Sequence, residues 1–120
     1  MHAEGTELQA IDRSAFEELR AHTSPAFVAR LVDTFQHEAP KMLADLRRGR
    51  DAADAELFRR AAHTLKSNSA TFGAMELMCM ARAMEHGGLV ADAGSDHAAI
   101  AELEAAWRRA IEELRELTRG

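Results

Sequence analysis

Among the 120 residues, the side chain best placed to do chemistry is His63, because of what surrounds it. The stretch Ala61-Ala62-His63-Thr64-Leu65-Lys66-Ser67-Asn68-Ser69-Ala70-Thr71-Phe72-Gly73-Ala74 has helical periodicity. On a wheel of about 100° per residue with Leu57 at zero, Ala61, Leu65, Ala62, Ser69, Phe58 and Phe72 fall between about 0° and 140°, the face turned to a core. His63 falls near ~240° on the same wheel, so its ring is expected to project into solvent from the middle of a rigid helix. One turn away on that outer face stand Arg59 at i−4, Lys66 at i+3 and Ser67 at i+4, with Ala70 at i+7. Two cations can meet a developing negative charge, and two small side chains leave the ring open to a second protein's active site.

That combination suits a phosphoryl carrier. A neutral imidazole, with an unperturbed pKa of about 6.5, is a nucleophile near pH 7. Charge-assisted hydrogen bonds from Lys66 and Arg59 to a phosphoryl group on the ring would each contribute about 1.5–3 kcal/mol, less where exposed. The nitrogen–phosphorus bond is labile, so the group can pass onward to a carboxylate. Phosphoryl transfer is mostly positioning and charge neutralisation, which a partner carrying magnesium can supply. The chain itself needs no cofactor: it has no Gly-rich phosphate cradle, no Walker-type Lys-Ser/Thr motif and no length for an ATP-binding α/β domain, so it is not expected to phosphorylate itself.

The elements that must hold this stretch are helices. The chain runs on Ala, Leu, Met, Glu and Arg, with one Trp, five Phe and no Tyr, a composition that favours helix over strand. A short first helix is expected around Asp12 to Ala21, with Phe16 and Leu19 as its apolar contacts. The second starts at Ser24-Pro25, an N-cap followed by proline at the first helical position, and carries Val28, Leu31, Val32, Phe35, Ala39, Met42, Leu43 and Leu46 to a stop at Gly49. Pro40 inside it predicts a kink in one helix. The third is expected from near Asp51 to about Phe72, and the fourth from about Ala74 to Glu85, closed by Gly87-Gly88. A polar loop, Leu89 to Asp96, leads to a last helix marked by Ile100, Leu103, Trp107, Ile111 and Leu114. Short connections make the expected fold an all-α, up-and-down antiparallel four-helix bundle with the short N-terminal helix across one end. The expectation is a single domain over residues 1–120, with a core from about 8 to 118.

The His63 segment resembles the signature of histidine-containing phosphotransfer (HPt) domains, which reads close to A-H-x-L-K-G-x-S-x-x-x-G-A. The match runs through Ala62, His63, Leu65, Lys66, Ser69, Gly73 and Ala74 and continues with Leu77, Cys79 and Met84-Glu85. Ser67 stands where the family usually has Gly, and its hydroxyl is expected to bond either the phosphoryl group or the i−4 carbonyl. The resemblance implies His63 as phosphoacceptor, Lys66 as the cation stabilising the phosphoryl group, and Glu85 as the carboxylate that orients the ring through its other nitrogen. It also implies receiver domains of response regulators or hybrid sensor kinases as partners, with magnesium on the receiver. Docking through apolar residues of the first and second helices follows from the same resemblance.

Composition narrows the remaining classes. With 47% apolar and 29% charged residues the chain reads as an ordinary globular domain able to bury roughly two thirds of its surface. A net charge of −5 argues against a nucleic-acid binder. The single Cys79 cannot form an intrachain disulfide, no stretch reads as a signal peptide or membrane span, and a cytoplasmic monomer is expected. A metal-binding bundle lacks its inward Glu-x-x-His pairs; Asp33 and His37 at i, i+4 are too few to make a site. His2, His22, His37, His86 and His97 read as surface or helix-end residues, and Met42, Met75, Met78, Met80 and Met84 as packing. The other functional reading is a docking module that binds receivers without being phosphorylated.

Overall fold

The structure, a computed structural model, describes residues 10–90 and 92–119, which form five helices: α1 (Arg13–His22), α2 (Pro25–Ala52), α3 (Ala55–Thr71), α4 (Met75–Gly87) and α5 (Ala93–Arg119). No strand occurs among the described residues. The caps explain most starts. Asp12 accepts from the amides of Ser14 and Ala15 ahead of α1, Ser24 from Phe27 ahead of α2, and Asp54 from Leu57 ahead of α3.

Cross-helix contacts set the topology. From one end of the α2–α3 interface to the other, Gly49 lies against Phe58, Met42 meets Asn68, and Phe35 stacks on Phe72. As α2 numbers fall, α3 numbers rise, so the pair is antiparallel. The α2–α5 seam runs the same way through Arg50–Asp96, Arg47–Glu104 and Asp33–Arg115. Between α4 and α5, Glu76 pairs with Arg109. Helices α2 to α5 therefore make an up-and-down bundle closed by the connections 53–54, 72–74 and 88–92. Its core holds Val28, Val32, Leu43 and Leu46 of α2, Phe58, Ala62 and Leu65 of α3, Leu77 and Ala81 of α4, and Ile100, Leu103 and Leu114 of α5.

Helix α1 closes one end, as expected. The amide of Asp12 donates to the carbonyl of Gly73 at 2.7 Å, tying the start of α1 to the α3–α4 turn. Arg13 pairs with Glu113, and Arg20 donates to the carbonyl of Leu117 near the end of α5. Phe16 is fully buried and Leu19 packs against the core.

Several boundaries differ from the expectation. Gly49 does not stop α2, which continues to Ala52 and ends in a left-handed Ala53 with φ of 54°. A Cβ on Gly49 would lie 2.9 Å from the Phe58 amide nitrogen, so this glycine serves the close crossing of α2 and α3. The third helix accordingly starts at Ala55, and Asp51 remains in α2. It stops at Thr71 with Phe72 as its cap, while α4 runs from Met75 to Gly87. The stretch expected as a loop to Asp96 is shorter, because Asp92 accepts from the Gly94 amide and the Ser95 hydroxyl and starts α5 early. Asp96 is then a buried residue of the first turn, 6% exposed. It accepts from Arg50 at 2.6 Å and from the Val90 amide at 3.2 Å. Pro40 sits exposed within one unbroken α2.

Candidate functional site

The face of α3 that the wheel assigns to the core is buried: Phe58, Ala61, Ala62, Leu65, Ser69 and Phe72 are each at most 6% exposed. The Ser69 hydroxyl is satisfied inside the helix by donating to the Leu65 carbonyl at 2.6 Å. Opposite this face His63 stands in solvent, its side chain 51% exposed. Ser67 and Ala70 are exposed beyond it and add no bulk over the ring.

The α3–α4 turn decides what faces His63. Gly73 has φ of +73°, and a Cβ there would lie 2.9 Å from both the Ala15 Cβ and the Asp12 carbonyl oxygen. Glycine thus allows the reversal and the close seat of α1 in one position. The reversal lays α4 antiparallel beside α3 and brings Glu85, 22 residues away in sequence, to the ring: His63 Nδ1 and Glu85 Oε2 are 2.7 Å apart. A carboxylate can only accept, so Nδ1 carries the proton and, in the neutral ring, Nε2 carries the lone pair. No hydrogen-bond partner reaches Nε2 among the described residues. The second carboxylate oxygen, Oε1, has the Lys66 ammonium at 2.8 Å, close but not aligned as a hydrogen bond, so the contact is an ion pair. Glu85 is 13% exposed and Lys66 25%.

These neighbours act on the carboxyl group of Glu85. The Lys66 ammonium holds it below its ordinary value of 4.5, partial burial opposes that, and the hydrogen bond from His63 lowers it further. A depressed folded value contributes stability that is present above pH 4.5 and is lost as pH falls through the lower folded value. Urea unfolding of the wild type and of Glu85→Gln should therefore show a stability difference at pH 6 that shrinks below about pH 4.5. A difference that stays constant to pH 3 would contradict the lowered carboxyl.

The other residues singled out by spacing are placed differently. Arg59 turns along its own helix and grips Glu56, with Nη2 to Oε2 at 2.8 Å and Nε to Oε1 at 3.2 Å. Arg60 stands 3.8 Å from the same carboxylate. Glu56 was not among the expected site residues, although its i, i+3 and i, i+4 spacing to Arg59 and Arg60 is legible in sequence. The Ser67 carbonyl accepts from Thr71 Oγ1 at 3.2 Å. Two shallow grooves flank the end of α3: one against α2, lined by Leu31, Phe35, Met42 and Asn68, the other against α1, lined by Ala15, Leu19 and Ala70. Phe27, one turn before Leu31, is 40% exposed.

Three of the remaining histidines are occupied locally, and His86 stands exposed on α4. His22 and His37 bond the Glu18 and Asp33 carbonyls of their own helices, and His97 pairs with Asp51. Asp33 turns its carboxylate to Arg115, so the Asp33/His37 pair does not converge. Among the described residues no three His, Cys, Asp or Glu side chains gather as a metal site would require. His2 lies outside the described residues. The five methionines expected as packing are all half-buried, and Met42, Met80 and Met84 lie against the core.

Comparison with known proteins fits this geometry. No curated protein matches the chain. Among solved structures, histidine-containing phosphotransfer protein B (HptB) from Pseudomonas aeruginosa PAO1 matches with a TM-score of 0.77 at 20% identity, covering 94% of this chain and 97% of that one. This likeness is one of fold. The family model described as the Hpt domain matches residues 30–117, which takes in α3, α4 and the whole His63–Lys66–Glu85 cluster. The chain belongs to the Hpt family, the histidine phosphotransfer domains of two-component signalling.

Proposed function

We propose that the chain accepts a phosphoryl group on His63 Nε2 and shuttles it between the aspartates of receiver domains in a phosphorelay. The observation that carries this reading is the 2.7 Å contact between Nδ1 and Glu85, which leaves Nε2 as the nucleophile on the solvent side. In the forward step the Nε2 lone pair forms a bond to phosphorus while the phosphorus–oxygen bond of a receiver phosphoaspartate breaks, and the aspartate leaves as a carboxylate. The ring gains positive charge because Nδ1 keeps its proton. Glu85 faces that charge, as the carboxylate of a catalytic triad faces its imidazolium. The reverse sequence delivers the group to the next receiver.

On this reading the chain is a carrier without kinase activity, needs no cofactor of its own, and meets magnesium only on the receiver. It acts as a cytoplasmic monomer with no nucleic-acid or membrane partner; no described helix is long and apolar enough to cross a membrane. Exposed Phe27 and the groove beginning at Leu31 supply an apolar anchor beside α3. The test is transfer of label from a phosphorylated receiver domain. An acid-labile, base-stable label on this chain supports the shuttle, and binding without label would leave a docking module.

Arg59 gives a second prediction. Its pair with Glu56 is on the surface, where solvent screens such pairs and they hold weakly, so the guanidinium can leave it for a phosphoryl group one turn away. Arg59→Ala should shorten the lifetime of phosphorylated His63 and Glu56→Gln should lengthen it, each about two- to fivefold, in a chase of the labelled protein. Changes of the same sign in both variants would remove Arg59 from this role.

A further inference from the structure

We infer that Lys66 is a positioning residue that acts on His63 through Glu85, holding the carboxylate against the ring and offsetting part of its charge. The inference rests on His63 being the phosphoacceptor. It departs from the direct phosphoryl contact that the spacing of Lys66 suggests.

A carboxylate beside an imidazole has two opposed effects. It fixes the ring and its tautomer, which favours attack by Nε2. It also favours the imidazolium, in which neither nitrogen has a lone pair to attack with. Each oxygen of Glu85 serves one partner, Oε2 the ring at 2.7 Å and Oε1 the ammonium at 2.8 Å. Lys66 therefore opposes the second effect without competing for the oxygen that delivers the first.

Burial shows where the lysine is committed. Exposure is 51% at His63, 25% at Lys66 and 13% at Glu85, so the ammonium turns in toward the half-buried carboxylate while the ring stays out. Arg59, by contrast, is 47% exposed and held only by a surface glutamate. The charges acting on Glu85 are those of Lys66 and His63, and Arg59 in turn senses Glu85. On α3 the further charged groups are Glu56 and Arg60; on α4 Arg82 and His86 stand exposed on either side of Glu85 in sequence. From the other helices, Glu18 and His22 of α1 line the groove beside Ala70, Glu38 of α2 pairs with Lys41, and Arg109 of α5 pairs with Glu76.

The experiment compares the wild type, Lys66→Met, Lys66→Arg, Glu85→Gln and the Lys66→Met/Glu85→Gln double variant. One readout is the ¹⁵N spectrum of the His63 ring at pH 8.5, which reports which nitrogen carries the proton and needs no phosphoryl donor. The other is the rate of label acceptance from a phosphorylated receiver at pH 6.5 and 8.5. Lys66→Met should lower the share of the ring held with its proton on Nδ1, because the carboxylate that fixes this tautomer loses its second partner. It should slow acceptance on the order of tenfold at pH 6.5 and by less at pH 8.5, with Lys66→Arg restoring both. In the Glu85→Gln background the same change should alter acceptance by less than about twofold, because its route to the ring is gone. An unchanged tautomer balance in Lys66→Met, or an equal loss of rate in both backgrounds at both pH values, overturns the inference and returns Lys66 to the phosphoryl group. If the wild type takes no label from any receiver, the acceptor reading fails by itself, and the ring spectra still decide what Lys66 does to His63.

Discussion

Replacing His63 by Gln abolishes phosphoryl acceptance while leaving the fold in place: that is the expected result with the largest functional effect. Glutamine keeps a polar side chain of similar reach but has no ring nitrogen with a lone pair to attack phosphorus. The structural cost is small because the His63 side chain is 51% exposed and fills no part of the core. Its amide can still donate to Glu85, and Lys66 remains beside the other carboxylate oxygen. Exposed substitutions of this kind shift stability by about ±0.5 kcal/mol, so the melting temperature should stay within about 3 °C of wild type. Label transfer and a thermal melt on the same preparation check both halves. Retained labelling would move the acceptor elsewhere, and a large fall in melting temperature would mean that the ring supports the bundle.

The largest effect on stability is expected from Phe72→Ala. Phe72 is 3% exposed and stacks on Phe35 with ring centroids 5.1 Å apart and an interplanar angle of 25°. Truncation removes a buried ring and leaves a cavity between α2 and α3, a change that costs about 3–5 kcal/mol. Against a typical domain stability of about 5–15 kcal/mol this is a large share. The site suffers as well, because Phe72 caps α3 immediately before the Gly73 turn that brings Glu85 to the ring. Urea unfolding monitored by circular dichroism reads the loss, and a decrease below about 1 kcal/mol would contradict the placement of this side chain.

How much of this was legible in the sequence depended on the distance over which each feature is determined. The five helices and the outward direction of His63 follow from local periodicity, and the structure agrees because α3 has a single unambiguous apolar arc. Glycine was less informative: Gly49 and Gly73 look alike in sequence, yet one admits a neighbouring backbone within a continuous helix and the other takes a positive φ. Only packing distinguishes those uses. Asp96 read as a loop residue because Ala-Gly-Ser precedes it, while its burial depends on Arg50, 46 residues earlier. At the site, spacing gave the side of the helix from which Lys66 and Arg59 emerge but not where their long side chains end. Lys66 ends on Glu85, and Arg59 ends on Glu56. The approach of Glu85 itself was available only through family resemblance, since it depends on the register between two helices.

That register has a bearing on how the site assembles. His63, Lys66 and Glu85 all belong to the hairpin of α3 and α4, with the ring and its carboxylate 22 positions apart in sequence. Closing so short a loop costs less chain entropy than closing the Arg50–Asp96 and Asp33–Arg115 seams that join α5 to α2 across 46 and 82 positions. The electrostatic surroundings of His63 are therefore a property of one supersecondary unit, and α1, α2 and α5 supply the apolar support beneath it. Substitutions in the outer seams leave Lys66 and Glu85 beside the ring, so on the proposed function a chain of this family can change the surface it shows to a partner while the surroundings of His63 stay as they are.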